Sequence, residues 1–114
     1  MIERIDTVCL LVNDVEISSK WYQDVLGFKE VFMEEGYRVL SVGTGSVPLT
    51  IEEGDPNPTP NQNYPIFFTK DIKQTYEKLK EHGVKVGEIH NDDVNNFFDF
   101  YDLDNNKLQV CFFE

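Results

Sequence analysis

The sequence predicts an α+β fold assembled from two copies of one strand, helix, three-strand unit, and three observations carry that prediction. The same order of elements is legible on both sides of a proline-rich stretch. The helix signals repeat at matching positions: Asp14 and Asp71 stand 57 residues apart, and Gly27 and Gly83 stand 56 apart, the mark of an internal duplication. Within each half the apolar residues switch from alternation to helical spacing and back.

Taken in order, residues 5–12, Ile-Asp-Thr-Val-Cys-Leu-Leu-Val, are β-branched and apolar, and they end at Asn13-Asp14, a strand that runs into a helix cap. From Val15, residues Ile17, Trp21, Tyr22 and Val25 recur at helical spacing, and Gly27 sits where a left-handed helix stop belongs. Runs at 28–33, 37–42 and 47–52 read as strands, separated by Glu34-Glu35-Gly36 and Gly43-Thr44-Gly45-Ser46. Residues 54–63 hold Pro56, Pro58 and Pro60 among polar neighbours and read as a stiff linker. The second copy follows: a strand at 64–69, Asp71 as cap, a helical stripe of Ile72, Tyr76 and Leu79, Gly83 as stop, then strands at 84–89, 97–101 and 107–113. Residues 1–114 are thus expected to be a single domain, with unit one at 1–53, the linker at 54–63 and unit two at 64–114.

In the first strand Val8, Leu10 and Val12 share one face, while Ile5, Thr7, Cys9 and Leu11 share the other. Both faces carry apolar residues. One must take the helix, and the other must face a cleft or a second subunit, because an exposed apolar sheet face is adhesive.

Composition narrows the partners. With 21 acidic and 10 basic side chains the net charge is −11, which repels nucleic acid and anionic membrane surfaces. Both halves are acidic, so neither is a basic arm. No stretch approaches the roughly 20 apolar residues of a membrane span, and none near Met1 resembles a secretory h-region, so a cytoplasmic location is expected. Cys9 and Cys111 are too few and too widely spaced for a disulfide framework or a zinc motif, and are expected to be reduced. His82 and His90 are read as solvated polar residues near element ends.

The run from Ile5 to Asp14, followed by Trp21-Tyr22-Gln23-Asp24-Val25-Leu26-Gly27-Phe28, resembles the opening of the vicinal oxygen chelate proteins, which include glyoxalase I, extradiol dioxygenases, fosfomycin resistance thiol transferases and bleomycin resistance proteins. The closing run Phe98 to Val110 is similar to their aspartate-proline-aspartate-glycine turn and last strand. The resemblance implies two βαβββ units forming a curved mixed sheet around a cleft, with the helices on the outer face. It also implies a divalent metal held by His, Glu or Gln on the first and last strand of each unit. Carried across, those positions fall on Thr7, Thr50, Tyr64 and Gln109. A first-row divalent ion needs imidazole or carboxylate donors, and two hydroxyls, a phenol and an amide do not supply them. No metal and no cofactor are therefore expected, with a divalent metal as the alternative should Glu52 enter the cluster.

Strand alternation then puts Cys9, Glu52, Ile66, Phe68, Cys111 and Phe113 on the same surface, and resemblance to the thiol transferases adds Phe97, Asp99 and Tyr101. The expected ligand-binding residues are Thr7, Cys9, Thr50, Glu52, Tyr64, Phe68, Phe97, Asp99, Tyr101 and Gln109. An aromatic lining with one or two carboxylates suits a small organic molecule, flat or cationic. The expected function is metal-independent binding of such a molecule in the inter-unit cleft, as in the bleomycin resistance proteins. The alternatives are a metal-dependent lyase, isomerase, dioxygenase or thiol transferase, a metal-free enzyme using Asp99 as base or Cys9 as nucleophile, and a regulatory module with a closed cleft. By resemblance the chain is expected to form a homodimer.

Overall fold

The computed structural model describes residues 1–56, 63–92 and 95–114. The chain divides into two compact units, Met1–Asn57 and Pro58–Glu114. Each contains one helix and one four-stranded mixed sheet, so the architecture is α+β.

Unit one runs β1 (Val8–Val12), α1 (Val15–Leu26), β2 (Lys29–Glu34), β3 (Tyr37–Ser41) and β4 (Leu49–Glu53). The strands lie in the order β1-β4-β3-β2, with β1 parallel to β4 and the remaining neighbours antiparallel. Asp14 starts α1 by accepting hydrogen bonds from the amides of Glu16 (3.0 Å) and Ile17 (3.1 Å), satisfying donors that have no partner inside the helix. Gly27 ends it in the left-handed conformation, φ 73°, and the Phe28 amide turns back to the Tyr22 carbonyl at 3.3 Å. Leu10, Val12, Leu40, Leu49 and Ile51 are buried on one sheet face with Val15 and Tyr22 of the helix. It is the face opposite Thr7 and Cys9, which alternation separated from it without saying which of the two would take the helix.

Unit two repeats the plan: β5 (Ile66–Phe68), α2 (Ile72–Glu81), β6 (His90–Asn91), β7 (Asn96–Tyr101) and β8 (Lys107–Phe112), in the order β5-β8-β7-β6. Asp71 accepts from the Gln74 amide at 3.0 Å, and Gly83 has φ 76°, with the Val84 amide returning to the Leu79 carbonyl. Phe98, Phe100, Leu108 and Val110 are buried, and the Tyr76 ring of α2 meets Phe98 edge-on at 4.9 Å. The identical strand order and paired caps are what the duplication predicts.

Three expectations need correction. The first strand starts at Val8 and not at Ile5, because its parallel partner starts at Leu49, after Pro48, which has no amide to donate. For a similar reason β5 begins after Pro65, at Ile66. The strand expected over 84–89 does not form. There the Val84 amide is taken by the helix end, and only Val86 forms an isolated bridge, to Phe100. Gly87, which has no side chain to pack, donates its amide to the Asp99 carbonyl at 2.8 Å, and the regular strand appears later, at His90–Asn91. Of the expected linker, residues 57–62 lie outside the described residues.

The turn before β8 is organised by Asp102. Its buried carboxylate accepts from the Asp104 and Asn106 amides and from the Asn106 side chain, all at 2.9 Å. Asn105 is left-handed, φ 64°, a conformation that asparagine tolerates better than most residues.

Candidate functional site

In each unit one sheet face is covered by its helix and the other carries the candidate residues. In unit one, Thr7 precedes β1, Cys9 lies on β1, and Thr50 and Glu52 lie on β4, all on the face away from α1. Their side chains form a polar ladder. Thr7 Oγ1 donates to the Pro48 carbonyl at 3.0 Å and lies 2.7 Å from Thr50 Oγ1, so the Thr50 hydroxyl donates to Thr7. Next to them the Cys9 thiol donates to Glu52 Oε2 at 3.6 Å. Partial burial of the thiol and, after it, the hydrogen bond and negative charge of Glu52 push its pKa above the ordinary thiol range. A thiol held protonated is a poor nucleophile at neutral pH. Cys111 is also pushed up, by burial.

Beyond this ladder the face becomes apolar. Leu11 and Phe32 are exposed, and the Phe32 ring lies 5.9 Å from that of Tyr37. Phe32 and Tyr37 belong to β2 and β3, whose register sets Val39 opposite Thr50 and Tyr37 opposite Glu52.

In unit two the register pairs Tyr101 with Lys107, Asp99 with Gln109 with Ile66, and Phe97 with Cys111 with Phe68. These residues share the face opposite α2. Gln109 Nε2 donates to Asp99 Oδ1 at 3.0 Å, and Lys107 Nζ lies 3.7 Å from Asp99 Oδ2. The same ammonium sits 4.1 Å from the centre of the Tyr64 ring, and Lys85 Nζ sits 4.7 Å from the Tyr101 ring. Further along, Phe68 and Phe113 are exposed and meet edge-on at 5.2 Å, while His90 stacks on Phe97 at 5.1 Å.

Each unit therefore gathers its own share of the expected residues: Thr7, Cys9, Thr50 and Glu52 in one, and Tyr64, Phe68, Phe97, Asp99, Tyr101 and Gln109 in the other. Sequence reasoning missed Lys107 and Lys85. The first was within reach, because 107, 109 and 111 share one side of a strand. The second lies in the segment read as a strand, where the antiparallel Val86–Phe100 bridge sets Lys85 opposite Tyr101, a register that the sequence does not fix.

The four positions assigned by resemblance to metal ligands do not fit that task here. Thr7 and Thr50 spend their hydroxyls on each other and on a carbonyl. The Tyr64 ring carries a lysine, whose charge opposes a nearby cation, and the Gln109 amide is turned to Asp99. Among the described residues no three His, Cys, Asp or Glu side chains come together as a metal-binding group. Asp99, expected to attract a cationic ligand, already has Lys107 beside it. Among the described residues no helix is long and apolar enough to cross a membrane.

Comparison with known proteins agrees with the fold. A virulence protein of Salmonella typhimurium, STM3117, is 27% identical over 94 residues, a match covering 77% of this chain and 65% of that protein. The chain thus spans just under two thirds of the length of the curated relative it matches. The crystal structure of TnmS3, an antibiotic binding protein from Streptomyces sp. CB03234, superposes with a TM-score of 0.85 at 19% identity, covering 99% of this chain and 98% of that one. FosX, a fosfomycin resistance protein of Listeria monocytogenes in complex with Mn(II) and sulfate, superposes with a TM-score of 0.83 at 19% identity, covering 96% and 90%. Residues 4–110 match the family model as well, and the chain belongs to the Glyoxalase/Bleomycin resistance protein/Dioxygenase superfamily.

Proposed function

We propose that this protein binds a small organic molecule on the sheet faces of its units that lie away from the helices, and that it does so without a metal. The observation that carries the reading is the condition of the four family ligand positions. Thr7, Thr50 and Gln109 engage polar groups within the chain and the Tyr64 ring carries the Lys107 ammonium, while aromatic side chains on the same faces, Phe32, Phe68 and Phe113, stay exposed. Such a face offers apolar area and stacking to an organic ligand, and hydroxyl and amide donors that a first-row metal does not favour. An antibiotic-binding protein has the same fold, so this fold is compatible with such a role. Partial burial and Glu52 raise the pKa of the Cys9 thiol, which makes it a poor nucleophile at neutral pH.

The reading extends to the setting of the protein. It acts as a homodimer, which sedimentation or light scattering checks directly. Its free thiols suit a reducing, cytoplasmic compartment.

The test is a thermal melt of the purified chain, read with a panel of aromatic organic compounds and separately with Mn, Ni, Zn and Fe(II) salts. A ligand present at about 100 times its Kd stabilises the folded state by about 2.7 kcal/mol, an easily measured rise in Tm. Stabilisation by organic compounds with no response to metals is the expected result. A metal-dependent rise, or near-stoichiometric metal in protein purified without chelator, would overturn it.

A further inference from the structure

β2 is an outer strand of the unit-one sheet, whose order is β1-β4-β3-β2. All of its residues, Lys29–Glu34, are exposed, and three consecutive ones are apolar: Val31, Phe32 and Met33 are 59%, 49% and 65% exposed. An outer strand leaves one row of backbone donors and acceptors outside the ladder, a template for a further strand. The charges of β2 suit one particular partner. Its register sets Lys29 against Ser41 and Glu34 against Tyr37, two residues of β3 that share a face, so Lys29 and Glu34 also share one. In a regular strand residues with this spacing lie on opposite faces; the bulge between Glu30 and Phe32 brings them to the same side. Among the described residues neither has an ion-pair partner. Glu30, on the other face, is already answered by Arg38 at 3.1 Å and by the Ser19 hydroxyl at 2.9 Å. β2 is therefore an electrically balanced strip on a chain of net charge −11, where two copies can meet without like charges opposing each other.

We infer that a second copy of this chain pairs with β2, antiparallel, about a two-fold axis that passes between Val31 and Phe32. In that register Lys29 of each copy stands opposite Glu34 of the other, Val31 opposite Phe32, and Glu30 opposite Met33. The ion pair forms twice, because a two-fold interface uses the same patch on both copies. Opposite charges across a strand pair attract, and like charges repel. Sliding one copy by a single residue sets Lys29 against Met33, or Glu30 against Glu34, residues of opposite faces, so the register is specified. Part of the exposed apolar surface of Val31, Phe32 and Met33 then leaves water. Pairing joins the two unit-one sheets edge to edge and keeps Phe32 on the face away from α1. The inference rests on the homodimer proposed above and gives it a surface.

A charge-reversal cycle tests it: sedimentation equilibrium of the full chain and of Lys29→Glu, Glu34→Lys and the double variant, each over a wide range of concentrations, with a thermal melt to confirm that all four fold. The parent should form a closed dimer. Each single reversal sets like charges opposite each other at two places and should raise the dimer Kd by about tenfold. Glu34→Lys is the sharper arm, because it lowers the net negative charge of each copy and general repulsion alone would make the dimer tighter. The double variant restores both ion pairs with their signs exchanged and should return the Kd to within about threefold of the parent. A dimer indifferent to all three variants, or singles that weaken it while the double does not restore it, would overturn the β2 pairing and leave the homodimer in place on another surface. Oligomers that keep growing with concentration would overturn the closed two-fold. A parent that stays monomeric throughout would sink the pairing and the homodimer together.

Discussion

Asp102 shows how much one side chain can hold. Its buried carboxylate accepts three hydrogen bonds and ties down the turn that delivers Lys107 and Gln109 to their face. Asp102→Ala leaves those donors unsatisfied in a partly buried turn, and chemical denaturation should show a loss of about 3 kcal/mol. Asn105→Gly, by contrast, relieves a left-handed residue, and the same measurement should find it neutral or stabilising by about 1 kcal/mol or less. Cys9 gives a residue-level prediction in pH. Its pKa is raised, so its thiolate fraction at neutral pH is below that of an ordinary thiol and grows only as pH rises past the usual thiol range. Alkylation of Cys9, followed by peptide mass spectrometry, should be slower than that of free cysteine at neutral pH. It should accelerate in Glu52→Gln, which removes the negative charge. An unchanged rate in that variant would mean that burial alone sets the shift.

At the scale of elements, the two helices use one grammar with different strengths. Asp14 accepts two amide hydrogen bonds and Asp71 one. Asp14→Ala should cost about 1 kcal/mol or somewhat more, and Asp71→Ala less, by urea denaturation. Gly27 and Gly83 are both left-handed with open space where a Cβ would stand. Alanine at either position therefore costs conformational strain without a clash, about 1–2 kcal/mol. Elements with such punctuation were legible in the sequence nearly to the residue: α1 starts at Val15 and stops before Gly27 as its caps predict. The segment after Gly83 was not. Its apolar run reads as a strand, yet which of its amides enter a ladder depends on the helix end and on β7, partners remote in sequence.

For the whole molecule, the excess of acidic groups predicts negligible affinity for duplex DNA at physiological salt in a gel-shift assay. It also predicts a solubility minimum close to the isoelectric point of about 4.4, observable as turbidity during acid titration. Duplication is written on this scale too. Two sheets with the same strand order, each with one face under a helix and one face open, follow from one unit used twice. The open faces have diverged: one carries a hydroxyl and thiol ladder, the other a lysine, aspartate and glutamine cluster beside exposed phenylalanines.

The repeat, the α+β class, the helix caps and the division of the first strand into two faces were determined by the sequence alone. They depend on periodicity and local hydrogen bonding, which are properties of neighbours in the chain. Alternation and resemblance also named Thr7, Thr50, Tyr64, Asp99 and Gln109, though not Lys107 and Lys85. Only tertiary structure decided what those groups do with one another. Thr7 bonds Thr50 across 43 positions, Cys9 bonds Glu52 across the same span, and Lys107 closes on Asp99 and Tyr64. A side chain's charge can be read from its letter, but whether that charge is already answered depends on which strand lies beside it.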